Sequence, residues 1–292
     1  MFVRACFLIF CALYEAGFGL TNAHAMHDLI NLSSKTSTVL TTGQIFDKAN
    51  RPIPYATFVQ RLAGADYVIL GEYHDSVPQH HLADQLLQDL HRQRPQGSLL
   101  LEMLTVDQQA AIDKARQNPP SFKKLPKALG WQKSWDWALY GQIVAQPFEF
   151  GYPLIATNLT KSEVKTLMQG AEPLKGYLST NDDIKAILKT RILKAHGFDK
   201  AGLDKADEKI VDNMVAIQQF RDRRMAEKIL SSPKPTLLLT GNYHAEQGVG
   251  IPMHLIDLQH GKTPLTGIVV LMSKSMGEFD GQDADYIWVI QE

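Results

Sequence analysis

Tyr67-Val68-Ile69-Leu70-Gly71-Glu72-Tyr73-His74 and Thr236-Leu237-Leu238-Leu239-Thr240-Gly241-Asn242-Tyr243-His244 are two versions of one phrase, an apolar run followed by Gly-x-Tyr-His. Both runs are continuously apolar rather than alternating, the pattern of a parallel strand covered on both faces. A glycine after a strand lets the backbone turn sharply, and a histidine three residues on can point back over the sheet edge. Two further runs end in polar residues: Ser98-Leu99-Leu100-Leu101 stops at Glu102, and Pro153-Leu154-Ile155-Ala156-Thr157 stops at Asn158. Helical stretches near 55–62, 78–92 and 133–145 fall between the runs, so strand and helix alternate. The expected fold is α/β, with a mostly parallel central sheet covered by helices.

The rest of the chain fits around that frame. Residues 160–232 are rich in Lys, Asp, Glu, Ala and Gln at helical spacing with no strand signal, which predicts a helical insertion or cap. Thr38-Val39-Leu40 and Gln44-Ile45-Phe46 flank Thr42-Gly43 and read as a small edge hairpin. Gly267-Ile268-Val269-Val270-Leu271-Met272 and Tyr286-Ile287-Trp288-Val289-Ile290 complete the sheet, with polar residues 273–284 looping out between them.

At the start of the chain, Arg4 precedes the apolar run Ala5-Cys6-Phe7-Leu8-Ile9-Phe10-Cys11-Ala12-Leu13, and Ala23-His24-Ala25 supplies small residues for a signal peptidase. The run is too short to span a bilayer and Glu15 closes it. The expectation is a signal peptide over 1–25, cleavage after Ala25, and one mature domain over 26–292, periplasmic or secreted. Both cysteines, Cys6 and Cys11, lie in the leader, so a mature chain has neither a disulfide nor a thiolate ligand. Phe10 before Cys11 is not the small residue that a lipid-anchoring signal needs, so soluble export is expected. A net charge of −1, from 30 basic and 31 acidic residues, gives no electrostatic reason to expect nucleic acid or anionic lipid as partner.

Ligands of open α/β sheets bind outside the carboxyl ends of the strands, where Glu72, His74, Glu102, Asn158 and His244 would converge. Imidazole and carboxylate together can bind a divalent metal, orient a water or hold a polar ligand, and the metal set is His74, Glu102 and His244. Glu102, directly after an apolar run, is costly to bury without a partner. His80-His81 open a helix; one of them lies near the site mouth, or both are surface residues. Trp131, Trp135, Trp137 and Tyr140 give a large aromatic surface that lines a flat ligand or fastens helix to sheet. Met214, Gln218, Asp222, Ala226 and Leu230 share one helical ridge at four-residue spacing, with a structural or a site role open for the two polar members.

Several spaced motifs occur together: Leu70-Gly71-Glu72-Tyr73-His74-Asp75 with His80-His81, Leu100-Leu101-Glu102-Met103, Trp137-Ala138-Leu139-Tyr140, Ala156-Thr157-Asn158, Gln218 with Arg221-Asp222 and Met225-Ala226, and Gly241-Asn242-Tyr243-His244 followed by Gly250-Ile251-Pro252-Met253-His254-Leu255. Over about residues 40–290 this resembles the ChaN-like haem-binding family. The resemblance implies an exported protein of haem and iron acquisition, partnered by an outer-membrane haem uptake system. It also implies a homodimer with haem at the subunit interface, a tyrosine as iron ligand and a histidine near the propionates. Tyr73, Tyr140, Tyr152 and Tyr243 are the candidate tyrosines. Tyr140 is preferred because it matches a family motif position and adjoins aromatic area, with His81, Trp137 and Asn158 completing the haem-binding set. The resemblance extends to the Tiki and erythromycin-esterase-like superfamily, in which the two Gly-x-x-His motifs and the strand-end glutamate form a hydrolytic, often metal-dependent site. Carried over, that alternative falls on Glu72, His74, Glu102 and His244. A purely structural adaptor would leave these carboxylates without a purpose.

Overall fold

The computed structural model describes residues 43–170, 172–195 and 204–291. The expected leader with its two cysteines, and Thr38-Val39-Leu40, lie outside the described residues.

Eight strands form one sheet in the order β2-β1-β8-β7-β3-β6-β4-β5. They are β1 (Gln44–Asp47), β2 (Pro52–Ile53), β3 (Tyr67–Glu72), β4 (Ser98–Thr105), β5 (Leu154–Asn158), β6 (Thr236–Gly241), β7 (Gly267–Ser273) and β8 (Tyr286–Val289). The pairs from β5 to β8 are parallel, and β1 runs antiparallel to both β8 and β2. The edge hairpin therefore differs from expectation: Gln44–Asp47 pairs with Pro52–Ile53 across a turn in which Asn50 has φ 58°. Asn is among the few non-glycine residues that adopt this left-handed conformation readily.

On one face of the sheet lie α1 (Tyr55–Ala63), α2 (Val77–Gln93), α3 (Gln109–Gln117), the single turn α4 (Leu125–Ala128) and α5 (Trp137–Phe150). The expected start of α5 near residue 133 moves to Trp137, because the Asp136 side chain accepts from the Ala138 backbone N–H and caps the helix there. The stretch expected to be a cap holds helices and no strand among its described residues: α6 (Lys161–Met168), α7 (Asp182–Ala195) and α8 (Lys205–Ser231). The single turn α9 (Asn242–Ala245) and α10 (Ile251–Gln259) follow β6. Among the described residues no helix is long and apolar enough to cross a membrane.

The continuous apolar runs are explained by the pleat. Val68 and Leu70, Leu99 and Leu101, and Leu237 and Leu239 pack with Phe58, Leu86, Leu87 and Tyr140 on one side. Ile69, Leu100 and Leu238 point the other way, onto Met225, Ala226 and Ile229 of α8 and Ile251 and Leu255 of α10. Alternate residues thus serve two cores, and burying each such side chain stabilises the fold by about 1.5–3 kcal/mol.

β3 is the pivot of this arrangement. The chain leaves it toward β4 and β5, returns to insert β6 between β3 and β4, and then places β7 on the other flank of β3. Such a reversal opens a crevice at the carboxyl ends of the strands.

Candidate functional site

Two buried acid–imidazole groups meet where β3, β4 and β6 end. Glu72, the last residue of β3, is 2% exposed despite its charge, so its partners decide its role. Its Oε1 takes the His74 Nδ1–H at 2.6 Å and the Tyr140 hydroxyl at 2.9 Å. His80 reaches the same carboxylate from α2: its Nε2 lies 3.5 Å from Glu72 Oε2, and its Nδ1 donates to the Ser76 carbonyl at 2.7 Å. Neither Nε2 of His80 nor Oε2 of Glu72 has another partner.

The second group is built on Glu102. The register between β4 and β5 shifts after Leu101, and this bulge holds Glu102 in mid-strand rather than at a strand end as expected. Its Oε2 accepts from the Thr240 hydroxyl at 2.7 Å and the Gly241 N–H at 2.9 Å, and its Oε1 faces His244 Nε2 at 3.4 Å. On the far side His244 Nδ1 bonds the fully buried Asp222 of α8, and the Gln218 amide lies 2.9 Å from the same nitrogen. Burial opposes charge on His244, but Glu102 and Asp222 outweigh it and its pKa is pushed up to about 10. Burial likewise opposes ionisation of Glu102, yet His244 holds its pKa well below the usual carboxylate value. The unit is a buried cation between two carboxylates.

The two groups adjoin. β3 and β6 are neighbours in register, Glu72 opposite Gly241, and a Cβ on Gly241 would lie 3.0 Å from His74 Nε2 and 3.8 Å from Glu102 Oε2. A Cβ on Gly71 would come within 2.6 Å of Asn242 Oδ1. The motif glycines therefore serve close approach instead of the expected sharp turn, and neither has a positive φ. His74, with 41% of its side chain exposed, stands at the mouth with its ring against Trp135 at 4.9 Å. Burial opposes charge there too, but Glu72 and Glu102 raise its pKa.

Other expected site residues are placed differently. Tyr140 is 0% exposed, with its ring 4.4 Å from that of His80 and its hydroxyl given to Glu72. Burial and the Glu72 charge raise its pKa, which disfavours the phenolate that ferric iron takes. Tyr140, the tyrosine preferred as iron ligand from the sequence, is thus a core residue with no open face in this structure. Trp137 packs on Trp131 and Phe122, so the tryptophan that reaches His74 is Trp135. Asn158 donates to the Glu102 carbonyl at 2.9 Å and holds the bulge. His81 is exposed on α2, and its neighbour His80 is the buried site residue.

Among the described residues no group of three or more His, Cys, Asp or Glu side chains is arranged to hold a metal ion. Of the expected metal set His74, Glu102 and His244, Glu102 is engaged by Thr240, Gly241 and His244, and His244 by Asp222. Two tyrosines remain at the mouth. Tyr73 gives its hydroxyl to Glu278, and burial and that carboxylate raise its pKa. Tyr243, on α9 directly before His244, is 56% exposed. A cavity of about 390 Å³ is lined by Phe46, Met276, Phe279 and Ile287.

A mostly parallel sheet covered by helices, with titratable pairs at the ends of its central strands, defines an α/β protein. The family described as haem-binding uptake, Tiki superfamily, ChaN matches residues 58–255. The chain belongs to that family. The solved structure of cofacial haem binding to ChaN of Campylobacter jejuni is 32% identical with a TM-score of 0.78, covering 86% of this chain and 97% of its own. Lower likenesses are the type III effector HopBA1, at 12% identity, 81% and 92% coverage and a TM-score of 0.43, and a mutant of the erythromycin esterase EreC in its open conformation, at 13%, 80% and 78%, and 0.42. No curated protein matches the chain.

Proposed function

We propose that this chain is an exported haem-binding protein of haem and iron acquisition, with Tyr243 as the iron ligand. The observation that carries this reading is the exposed Tyr243 phenol at the strand-end crevice, where the other tyrosines are buried or engaged by carboxylates. Phenolate is a hard anionic donor suited to ferric iron. The buried His244 unit fixes the turn that presents Tyr243, and exposed His81 is free to meet a propionate. A homodimer in which two such open sites face each other accords with the cofacial haem binding described for the Campylobacter relative.

Adding haemin to the purified protein is expected to shift the Soret band. Tyr243→Phe keeps the ring and removes only the donor oxygen. Since loss of groups around a metal ligand already costs 10–100-fold in affinity, loss of the ligand should cost more than about 100-fold. An unchanged spectrum and affinity in Tyr243→Phe sinks the assignment. Export is tested separately: N-terminal sequencing of extracytoplasmic protein should begin at Met26, and recovery of Met1 or a lipidated Cys11 argues against it.

A hydrolytic role for Glu72, His74, Glu102 and His244 is the second reading. It is favoured by the Glu72–His74 pair, a base oriented by a carboxylate and 41% exposed at the mouth. Hydrolysis of an activated ester that disappears in His74→Ala would support it.

A further inference from the structure

We propose that Trp135, Tyr140, Trp131 and Trp137 form a conduit that discharges strong oxidants at the crevice by passing them electrons from the protein surface. The rings stand in sequence. Between ring centres, Trp135 lies 4.9 Å from His74 at the mouth, Tyr140 6.0 Å from Trp135, Trp131 6.0 Å from Tyr140, and Trp137 5.1 Å from Trp131. Trp135 is partly exposed at one end of this row, and at the other Trp137 rests on Phe122, which is 43% exposed. Gly141 makes room for that outer end, because a Cβ there would come within 2.9 Å of the Trp137 indole. Three of the four tryptophans of the chain belong to the row, and the fourth, Trp288, is fully buried against Tyr55 and Phe58.

Besides thiols, indole and phenol are the side chains that yield a single electron most readily, and rings in contact exchange it over a short path. Losing an electron turns a phenol into a strong acid. A buried cation is costly, so a buried tyrosine gives up an electron only where its proton can leave as well. Tyr140, 0% exposed, has that exit: its hydroxyl donates to Glu72 Oε1 at 2.9 Å, with His74 Nδ1 at 3.3 Å as a second neighbour. An oxidant at the mouth takes one electron from Trp135. Tyr140 replaces that electron while its proton passes to Glu72, leaving a neutral phenoxyl radical. Trp131 then supplies an electron, Glu72 returns the proton, and the vacancy moves through Trp137 to a one-electron donor in solvent, of which ascorbate is an example. Aromatic rings hold their electrons too tightly to reduce a resting ferric ion, so the conduit serves only a strong oxidant. The oxidant is a peroxide acting on the bound porphyrin, and this use of the row rests on the haem reading above. Packing of the same rings against the sheet needs neither their order nor the hydroxyl.

Pulse radiolysis with the azidyl radical tests the conduit in the full chain without a ligand, since azidyl oxidises tryptophan in preference to neutral tyrosine. The tryptophan radical should decay at a rate independent of protein concentration while a tyrosyl radical grows. Tyr140→Phe should remove that phase, and Glu72→Gln should slow it about a hundredfold, the low end of what a positioned proton acceptor contributes. Should Glu72→Gln fail to fold, deuterium oxide gives the same reading on the wild type, because only a step that moves the proton is slowed there. A phase that survives in Tyr140→Phe, or one indifferent to both Glu72→Gln and deuterium oxide, overturns the proposal. With haemin added, hydrogen peroxide should give a tyrosyl electron paramagnetic resonance signal that is lost in Tyr140→Phe and in Trp135→Phe. A Soret shift on adding haemin without that signal on adding peroxide overturns the discharge of oxidants at the crevice. No Soret shift beside an intact azidyl phase counts against the haem reading instead, and supports conduction along the row.

Discussion

Asp222→Ala is expected to lower the unfolding free energy by about 3–5 kcal/mol, the usual effect of leaving a buried charge without its partner. Asp222 is 0% exposed and bonds His244 Nδ1, while Glu102 holds Nε2 from the other side. Removing it strands half of a buried cation. Urea unfolding of the two single variants and of Asp222→Ala/His244→Ala should show the double costing less than the sum, because the two residues act as one unit. The pH dependence has a definite sign. His244 is raised from an ordinary 6.5 to about 10, so its contribution is complete below about pH 6.5 and is lost as pH rises through about 10. Glu102 is held below an ordinary 4.5, so its contribution is present above that value and is lost as pH falls through the lower, folded one. Asp222 has the sign of His244 and opposes Glu102: burial raises it from 3.8 to about 6, so folding loses stability from this group as pH climbs between those values. Without Asp222 the alkaline loss should begin at lower pH, because one of the two carboxylates that keep His244 protonated is gone. A variant that melts like the wild type, with the same alkaline limb, would show the triad to be energetically idle.

Much of the frame was legible in the sequence because it depends on local pattern. Continuous apolar runs such as Leu237-Leu238-Leu239 mean burial on both faces, and the alternation of Val68 and Leu70 against Ile69 bears this out. The Gly-x-Tyr-His phrases marked the crevice but hid a difference. The first stays in strand through Glu72 and leaves Tyr73 and His74 outside any helix, whereas the second coils into one helical turn, burying His244 and lifting Tyr243 outward. Asp222 and Gln218 stood out as polar members of an apolar ridge, but only tertiary packing brings that ridge to His244. The choice between His80 and His81 was available in helical phase: His80 falls in line with Ala83, Leu87 and Leu90 on the buried stripe, and His81 does not. The irregular register after Leu101 left no sequence signal, since nothing in Leu99-Leu100-Leu101-Glu102 distinguishes a bulge from a strand end.

Tyr140 separates packing from ligation most sharply. Its ring is fully buried, 4.4 Å from that of His80 and 6.0 Å from those of Trp131 and Trp135, and its hydroxyl donates to Glu72 at 2.9 Å. Tyr140→Ala should therefore cost about 3–5 kcal/mol, as large-to-small changes of aromatic core residues do. Tyr140→Phe keeps the ring and deletes one donor to a buried carboxylate oxygen, a loss of about 1–3 kcal/mol. The lower end is expected, because His74 Nδ1 still donates to the same oxygen at 2.6 Å. For haem, Tyr140→Phe should leave the Soret position and the affinity as they are in the wild type, since the hydroxyl is buried and already bonded to Glu72. If Tyr140→Phe instead removes ferric-haem ligation while Tyr243→Phe does not, the core must open on binding, and the buried phenol, not the exposed one, is the iron ligand.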